Sequence, residues 1–389
     1  MSYADSENDI ITAIIQRIAL LQSRGDSYFP EGMFASYRQN KYLRYKRPDT
    51  NIFFTASIVF VLNQLKPYLA ADVNSIIDGM IAKAVQNYGA FQNKDGLKTY
   101  NFWQTSKDGR VSRHFPNGYI FRHLEHFRLP DDIDDTALIY LTTNPQADEL
   151  HWLKQKLLQH ANLSAGPQQQ RQVRNTLKPY RKLKVYSTWF GKNMPIEFDA
   201  CALCNLMYLI EYYHLPHNEY DTDTYQFLGG IIERQELITH SFQVSHNYAT
   251  APLIIYHLAR LLGKFNNTPL ETYRERLIAL ALQCLQKEQT EMNKIMLETA
   301  IFKLYNNNTL AYLTTVARLA EENKRSQLPA EDDNFCYFLG PLLSSYENPV
   351  LQFFAPMKIT QMDWKCEAHE WTLLLENLIE RKRINKVNA

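Results

Sequence analysis

The segment DACALCNLMYLIEYY, residues 199–213, is apolar on almost every side, and its only charged residues are Asp199 and Glu211 near the two ends. A helix that is hydrophobic all round is enclosed by other elements of the protein. Aspartate is also among the residues preferred as a helix N-cap. The segment therefore predicts a buried helix that begins at Asp199 and is surrounded by other helices.

The rest of the chain alternates between amphipathic segments and segments of this apolar kind. The amphipathic segments have apolar residues at three- and four-residue spacing and are 7–24, 74–88, 148–162, 223–239, 269–288 and 308–325. The apolar segments are 51–66, 132–144, 199–213, 246–262, 293–305 and 367–382. Six outer and six inner helices in alternation are typical of an α/α toroid. The sequence therefore predicts an all-α protein with a single toroid domain over residues 1–389.

Each predicted inner helix begins near a short polar or acidic residue, and in a closed barrel these starts would gather at one end. They are Asn51, Asp132, Asp199, Asn247, Glu298 and Glu367. Three long connections, 89–130, 163–184 and 326–366, interrupt the pattern. Loops of this length in a compact domain are usually functional or disordered. Aromatic residues in the first and third argue against disorder there, whereas the second is basic and Gln-rich and is expected to be exposed.

Composition limits the classes of function. The chain carries 42 basic and 41 acidic residues, so it has no excess positive charge to attract nucleic acid. The first residues are acidic where a secretory signal would be basic, and no run approaches the ~18 apolar residues of a membrane span. We therefore expect a cytoplasmic protein without a membrane span. The five cysteines are scattered, which suits free thiols.

The segment LPDDIDDTALIYL, residues 129–141, places four aspartates directly before an apolar run. Pro130 and the apolar run predict a helix start here. Asp132 as N-cap would put Asp135 at the third helical position, as in a capping box. Capping explains one or two aspartates but not four. Asp131, Asp132 and Asp135 also match the DDxxD magnesium motif, but that motif needs a second metal-binding motif downstream, which we do not find.

The six residues Asp132–Ala137, DIDDTA, resemble the DxDDTA motif of squalene-hopene cyclases and other class II terpene cyclases, which are also built from α/α toroids. The resemblance implies that Asp134 is a general acid that protonates an isoprenoid without a cofactor, with Asp132 and Asp135 as its partners. Full-size relatives use two toroids and carry glutamine–tryptophan repeats, and neither is present here. A lone toroid would need a homodimer or the long connections to cover its site.

A carbocation formed in this way needs electron-rich aromatic walls. Aromatic residues in or beside the long connections are the candidates for these walls: Trp103, Phe115, Trp189, Phe190 and Trp364. Polar residues at or near the predicted inner-helix starts are further substrate-binding candidates: Asp199, His246 and Glu298. Contact of such a protein with a membrane surface is compatible with an apolar substrate.

Other interpretations stay open at the level of sequence. Asp199, Cys201 and His246 resemble the Asp-x-Cys and His zinc ligands of protein prenyltransferase β subunits, although Cys201 on so apolar a helix also suits a buried thiol. Asp134 with Asp199 or Glu298 could form the carboxylate pair of a glycoside hydrolase or lyase. A toroid that binds a lipid or a protein without catalysis is the third alternative.

Overall fold

The computed structural model describes residues 3–105, 116–117, 129–164, 172–191, 194–306, 309, 312–322, 335–341 and 353–388. The helices in these residues are α1 (Tyr3–Leu21), α2 (Phe53–Leu65), α3 (Ala71–Val85), α4 (Ile133–Thr142), α5 (Ala147–Leu158), α6 (Ala200–Tyr212), α7 (Glu219–Glu233), α8 (Glu236–Thr239), α9 (Ser241–Val244), α10 (Ala251–Lys264), α11 (Arg274–Lys287), α12 (Glu291–Leu304), α13 (Leu313–Glu322) and α14 (Glu367–Asn388). The strands are β1 (Tyr37–Asn40), β2 (Tyr45–Pro48), β3 (Phe338–Pro341) and β4 (Gln361–Lys365). None of the described helices is both long enough and apolar enough to cross a membrane.

The prediction of a mostly helical chain is confirmed, and its two kinds of helix differ in burial as the sequence pattern indicates. In α6, every residue from Ala200 to Ile210 is buried. In α3 the buried residues are Val73, Ile77, Met80 and Ala84, which lie three or four positions apart along one face. The apolar helices therefore form an inner layer, and the amphipathic helices cover it with one face each.

The six apolar helices contact one another in chain order. The pairs in contact are α2 with α4, α4 with α6, α6 with α10, α10 with α12, and α12 with α14. Helix α14 also contacts α2, so the series of contacts closes on itself. The buried hydrophobic side chains form one continuous cluster that extends from Ile11 to Ile384.

The amphipathic helices pack on the outside of this series. Helix α1 lies against α3 and α14, α11 lies against α10 and α12, and α13 lies mainly against α14. These contacts bury the apolar stripe of each outer helix and leave its charged face exposed. The packing thus follows from the spacing of apolar residues in the sequence.

The predicted inner-helix starts are correct at some positions and wrong at others. Asp132 and Asp199 are the N-caps of α4 and α6, and α14 begins at Glu367. Helix α10 begins at Ala251, after Asn247, because Pro252 occupies its first turn. Helix α12 begins at Glu291, so Glu298 lies in the middle of the helix and not at its start.

A four-stranded antiparallel sheet with the order β2-β1-β4-β3 is the main departure from the all-α prediction. Its strands are only four or five residues long, and β1 and β2 read YRQN and YKRP. Segments so short and polar show no clear alternation of apolar and polar residues, which is the signal that predicts strands. In the pairing of β1 with β4, Arg38 lies opposite Trp364. This pairing joins the segment before α2 to the segment before α14.

A buried ion pair fixes the start of the sheet against the inner layer. Arg38 Nη1 lies 2.6 Å from Asp49 Oδ2, and both side chains are fully buried. The Asp49 carboxylate also accepts hydrogen bonds from the Trp103 indole and the Asn51 amide, each at 3.0 Å. The hydroxyl of Tyr45 accepts from the Arg38 guanidinium at 2.9 Å. These contacts satisfy both charges without water.

We expect Asp49→Ala to destabilise the protein by about 3–5 kcal/mol, because it removes the carboxylate that compensates the buried charge of the Arg38 guanidinium. The control is Asp78→Ala, which removes a solvent-exposed partner of Lys66 and should cost less than about 1 kcal/mol. Urea denaturation of both variants measures the two values. Equal losses would show that the buried pair does not hold the sheet in place.

Candidate active site

Asp132 caps α4. Its backbone is extended, with φ −132° and ψ 163°, and its Oδ1 accepts a hydrogen bond from the backbone N–H of Asp135 at 2.8 Å. The N–H of Asp132 donates to the Tyr100 carbonyl at 3.1 Å, and the N–H of Ile133 donates to the Thr188 carbonyl at 2.9 Å. The predicted N-cap is therefore present. The reciprocal hydrogen bond of a capping box, from the Asp132 N–H to the Asp135 side chain, is not formed, because the Asp132 N–H donates to the Tyr100 carbonyl.

Both carboxylate oxygens of Asp134 accept hydrogen bonds from buried side chains. Oδ1 accepts from the Asn205 amide on α6, and Oδ2 accepts from the Tyr248 hydroxyl in the segment before α10. The Arg260 guanidinium on α10 donates in turn to the Asn205 side-chain oxygen. Burial raises the pKa of Asp134 to about 6, and these two hydrogen bonds together with the Arg260 charge limit the rise.

Asp132 and Asp135 form a second pair of buried carboxyls beside Asp134. Burial, followed by the charge of Asp134, raises the pKa of Asp132 to about 8. Burial and the neighbouring aspartates raise the pKa of Asp135 well above its usual range. Asp135 Oδ1 is buried without a hydrogen-bond partner. Both shifts favour the protonated carboxyls over the carboxylates.

Asp131 serves a different purpose from the other three aspartates. Its Oδ2 accepts hydrogen bonds from the Thr99 hydroxyl at 2.6 Å and from the Asn93 amide. Its Oδ1 accepts from the Asn101 amide at 3.4 Å. Asp131 therefore anchors the connection after α3 to the start of α4. A carboxylate committed to these donors is not placed to bind a metal ion with Asp132 and Asp135, as the DDxxD interpretation requires.

A cavity lies beside Asp132, Asp134 and Asp135. Its volume is about 30 Å³, enough for a water molecule and well below the ~300–1,000 Å³ of small-molecule pockets, so a bound substrate would require the lining side chains to move apart. The rest of its lining is mostly apolar and aromatic: Phe53, Phe102, Leu129, Thr188, Trp189, Ala202, Asn247, Tyr248 and Phe338. Phe102 and Phe338 are stacked, with ring centroids 5.1 Å apart.

Asp199 is the N-cap of α6, and hydrogen bonds occupy both of its oxygens. Oδ1 accepts from the Cys201 N–H at 3.0 Å and from the Ser245 hydroxyl at 2.5 Å. Oδ2 accepts from the Asn247 N–H at 2.9 Å. Asp199 thus ties the start of α6 to the segment before α10. A carboxylate bound in this way is structural, which disfavours its pairing with Asp134 in glycoside hydrolysis.

The geometry does not support zinc binding by Asp199, Cys201 and His246. Within the described ranges, no group of three or more His, Cys, Asp or Glu side chains is arranged to hold a metal ion. Burial, reinforced by the charge of Asp199, raises the pKa of the Cys201 thiol well above its usual range and disfavours the thiolate that zinc requires.

Among the aromatic residues predicted to line the site, Trp189 does so. Its indole N–H donates to Glu197 Oε1 at 3.2 Å. Three others are buried but do not line the cavity: Trp103, Phe190 and Trp364. Trp364 packs edge-on against Phe338, which does line it. Phe115 lies outside the described residues.

The remaining predicted residues lie away from the cavity. Glu298 is buried within α12, and His246 packs against Phe242 with centroids 5.2 Å apart. Asp199 does not line the cavity, and its hydrogen bonds fix the start of α6 to the segment before α10. Of the six predicted inner-helix starts, Asp132 and Asn247 line the cavity, whereas Asn51, Asp199, Glu298 and Glu367 do not.

The sequence analysis missed Asn205, Tyr248 and Arg260, which bind or stabilise Asp134. A signal for two of them was present. Asn205 is the only side chain with an amide or charge between Ala200 and Ile210, and Arg260 is the only charged residue between Ala251 and Leu262. A single such group on a helix that is otherwise buried must find its partner inside the protein. It therefore marks a polar contact in the core.

We expect Asp132→Asn to be more stable than the wild type at pH 8, with the difference shrinking toward pH 5. The folded state retains a proton on Asp132 that the unfolded chain releases above about pH 4, so this carboxyl lowers stability as pH rises from about 4 to about 8. Asparagine keeps the cap and removes the titration. Asp132→Ala, which loses the cap as well, should be about 1 kcal/mol less stable than Asp132→Asn. Thermal unfolding at the two pH values measures these differences, and a loss of stability in Asp132→Asn at pH 8 would contradict the expectation.

Comparisons of this chain with known protein families, with curated proteins and with solved structures find no match.

Proposed function

We propose that the protein is an α/α toroid that catalyses a proton-initiated cyclisation of an isoprenoid, as class II terpene cyclases do. The main support is the position of three buried carboxyls, Asp132, Asp134 and Asp135, at the wall of an apolar and aromatic cavity. The closed series of contacts among the six inner helices supports the proposed toroid. The carbohydrate alternative pairs Asp134 with Asp199 or Glu298, but Asp199 is occupied as a cap and Glu298 lies within α12 and does not line the cavity.

In the proposed reaction Asp134 is the general acid. Its carboxyl O–H bond breaks, and the proton forms a C–H bond with one alkene carbon by using the π electron pair of that alkene. The other alkene carbon becomes a cation. A second alkene of the same substrate attacks this cation and closes a ring. The C–H bond of a carbon next to the final cation then breaks, its electron pair forms a new alkene, and the proton passes to solvent. Asp134 regains a proton from solvent, so the substrate is isomerised with no net gain or loss of protons.

The surroundings of Asp134 suit both states of this acid. Burial favours the protonated carboxyl that the first step needs. Once the proton has left, the Asn205 amide and the Tyr248 hydroxyl both donate to the carboxylate. The positive charge of Arg260, which acts through Asn205, further favours the anion. The same network therefore holds the carboxyl in place and stabilises the product of proton transfer.

The cavity walls suit the cation. Phe53, Phe102 and Phe338 form a contiguous aromatic group, with ring centroids 5.1–6.4 Å apart. Aromatic faces attract a desolvated cation by about 2 kcal/mol each. Trp189 lines the cavity as well. In a lone toroid, the connection 89–130 or a homodimer would have to exclude water from this space during the reaction.

We expect purified protein to convert a polyprenyl substrate or its diphosphate without releasing pyrophosphate, and Asp134→Asn to lower turnover at least about a hundredfold. Asp131→Asn is the matched control, because this aspartate is outside the cavity, and it should retain turnover. Product analysis by gas chromatography with mass spectrometry measures both. Magnesium-dependent pyrophosphate release would favour the DDxxD interpretation, and hydrolysis of an oligosaccharide would favour the carbohydrate alternative. Full turnover by Asp134→Asn would remove the proposed acid.

We further expect Tyr248→Phe to shift the pH dependence of turnover upward. Turnover should fall above pH 6 in the wild type, because Asp134 loses the proton that it must donate. The Tyr248 hydroxyl favours the anion, so its removal raises the pKa of Asp134 and extends activity to higher pH. Tyr337→Phe is the control, since this ring packs against Tyr248 while its hydroxyl lies 3.3 Å from His257 Nε2. An unchanged profile in Tyr248→Phe would exclude Asp134 as the group that controls the pH dependence.

A further inference from the structure

Large hydrophobic side chains are exposed together at one end of the sheet. Twelve such side chains are exposed in the described parts of the chain, and half of them belong to the β1–β2 turn or to the segment before β4. These six are Tyr42, Leu43, Phe353, Phe354, Met357 and Ile359, and we call them the apolar tip. Phe353 is 79% exposed and Tyr42 is 63% exposed. Single exposed hydrophobic residues are normal, but a group of six marks an interaction surface.

Backbone pairing brings the two segments of the apolar tip together. β1 runs antiparallel to β4, so the end of β1 lies beside the start of β4. The Asn40 amide donates to the Ile359 carbonyl at 3.0 Å and to the Gln361 carbonyl at 2.8 Å. These hydrogen bonds hold the turn after Asn40 against the segment 353–360. The apolar tip is therefore a defined surface of the fold.

The charges around the apolar tip are basic. Segment 41–48 contains two lysines and two arginines, segment 353–360 contains one lysine, and neither contains an acidic residue. Lys41, Arg44, Lys46 and Lys358 are exposed. On β4, Asp363 interacts with Lys41 and Lys358. The surface thus combines exposed aromatic and aliphatic side chains with an excess of positive charge, although the whole chain is almost neutral.

We propose that the apolar tip binds the protein to the surface of an anionic lipid membrane. Aromatic and aliphatic side chains flanked by Lys and Arg suit the boundary between lipid headgroups and acyl chains. Each basic residue near an anionic bilayer adds electrostatic attraction. A second copy of the chain fits less well, because a two-fold contact would bring two basic tips together. This inference does not depend on the proposed cyclase activity.

The test is sedimentation of the full chain with large unilamellar vesicles, either of phosphatidylcholine alone or with one third phosphatidylglycerol. We expect binding to the vesicles that contain phosphatidylglycerol, clearly weaker binding to phosphatidylcholine, and a decrease with added salt. The double substitution Phe353→Ser and Phe354→Ser should weaken binding at least about tenfold, because it removes two side chains that insert. The double substitution Lys41→Glu and Lys358→Glu should weaken it at least about fivefold.

Matched controls distinguish vesicle binding through the apolar tip from nonspecific binding through other exposed hydrophobic side chains. Leu20→Ser and Tyr68→Ser remove hydrophobic side chains that are exposed elsewhere, at 66% and 52%, and should leave vesicle binding unchanged. Lys178→Glu, at an exposed site outside the tip, should have a smaller effect than Lys41→Glu. The serine variants and Lys178→Glu should melt at the wild-type temperature, because each change is on the surface. The Lys41→Glu and Lys358→Glu pair brings two carboxylates near Asp363, so its melting temperature is measured to show that the fold is retained.

Three outcomes would overturn the inference. The first is the absence of binding to vesicles with phosphatidylglycerol. The second is an equal loss of binding in the tip variants and the controls. The third is a concentration-dependent dimer without vesicle binding. If the Phe353→Ser and Phe354→Ser changes abolished that dimer, the apolar tip would be a contact between two copies of the chain. Turnover assays remain separate, so a failure here leaves the proposed acid untouched.

Discussion

The inner helices have almost no contact with water, so each polar side chain on them must find its partner inside the protein. Arg260 shows how strongly this requirement acts. Its guanidinium lies 4.9 Å from the ring centroid of Phe60 and 5.5 Å from that of Tyr256, and it donates to the Asn205 side-chain oxygen. With its oxygen fixed, Asn205 turns its amide N–H toward Asp134. The helices α6 and α10 therefore determine the orientation of the Asp134 carboxyl, which belongs to α4. The hydrogen bonds from Arg260 to Asn205 and from Asn205 to Asp134 leave these side chains little freedom to rearrange.

The need of buried charged groups for partners is met completely around Lys303 on α12 and incompletely at the start of α4. Lys303 on α12 lies 3.1 Å from Glu376 and 2.8 Å from Glu380, both on α14, so one cation serves two carboxylates. At the start of α4, by contrast, Asp135 keeps a buried carboxyl oxygen without a hydrogen-bond partner. A scaffold gains nothing from a buried carboxyl oxygen that no donor satisfies, since replacing it would remove a desolvation cost. This imbalance separates the candidate site from the structural charges around it.

The helical part of the fold could be predicted because burial and spacing are local properties of the sequence. The apolar run 199–213 and the spaced residues Val73, Ile77 and Met80 already specify an inner and an outer helix. The sheet could not be predicted in this way. β1 and β4 gain their stability from each other across more than 300 residues, and neither shows a pattern alone. At the site, the aspartates were visible as a motif, whereas Tyr248 sits in an irregular segment that only the packing brings to Asp134.

The closed series of contacts among the inner helices also affects the rate of folding. The last inner helix, α14, packs on α1 and α2, and ion pairs join Arg17 to Glu367 and Arg381 to Glu7. These partners are 350 and 374 residues apart in sequence. Contacts of such high sequence separation slow folding, because the entropy of closing the loop is lost before the contact forms. Helical hairpins such as α11 and α12 are built from neighbouring residues, whereas the contacts of α14 with α1 and α2 join distant parts of the sequence. Any chain in which these distant contacts are open exposes the apolar sides of α2 and α14 to solvent, and exposed apolar surface promotes aggregation.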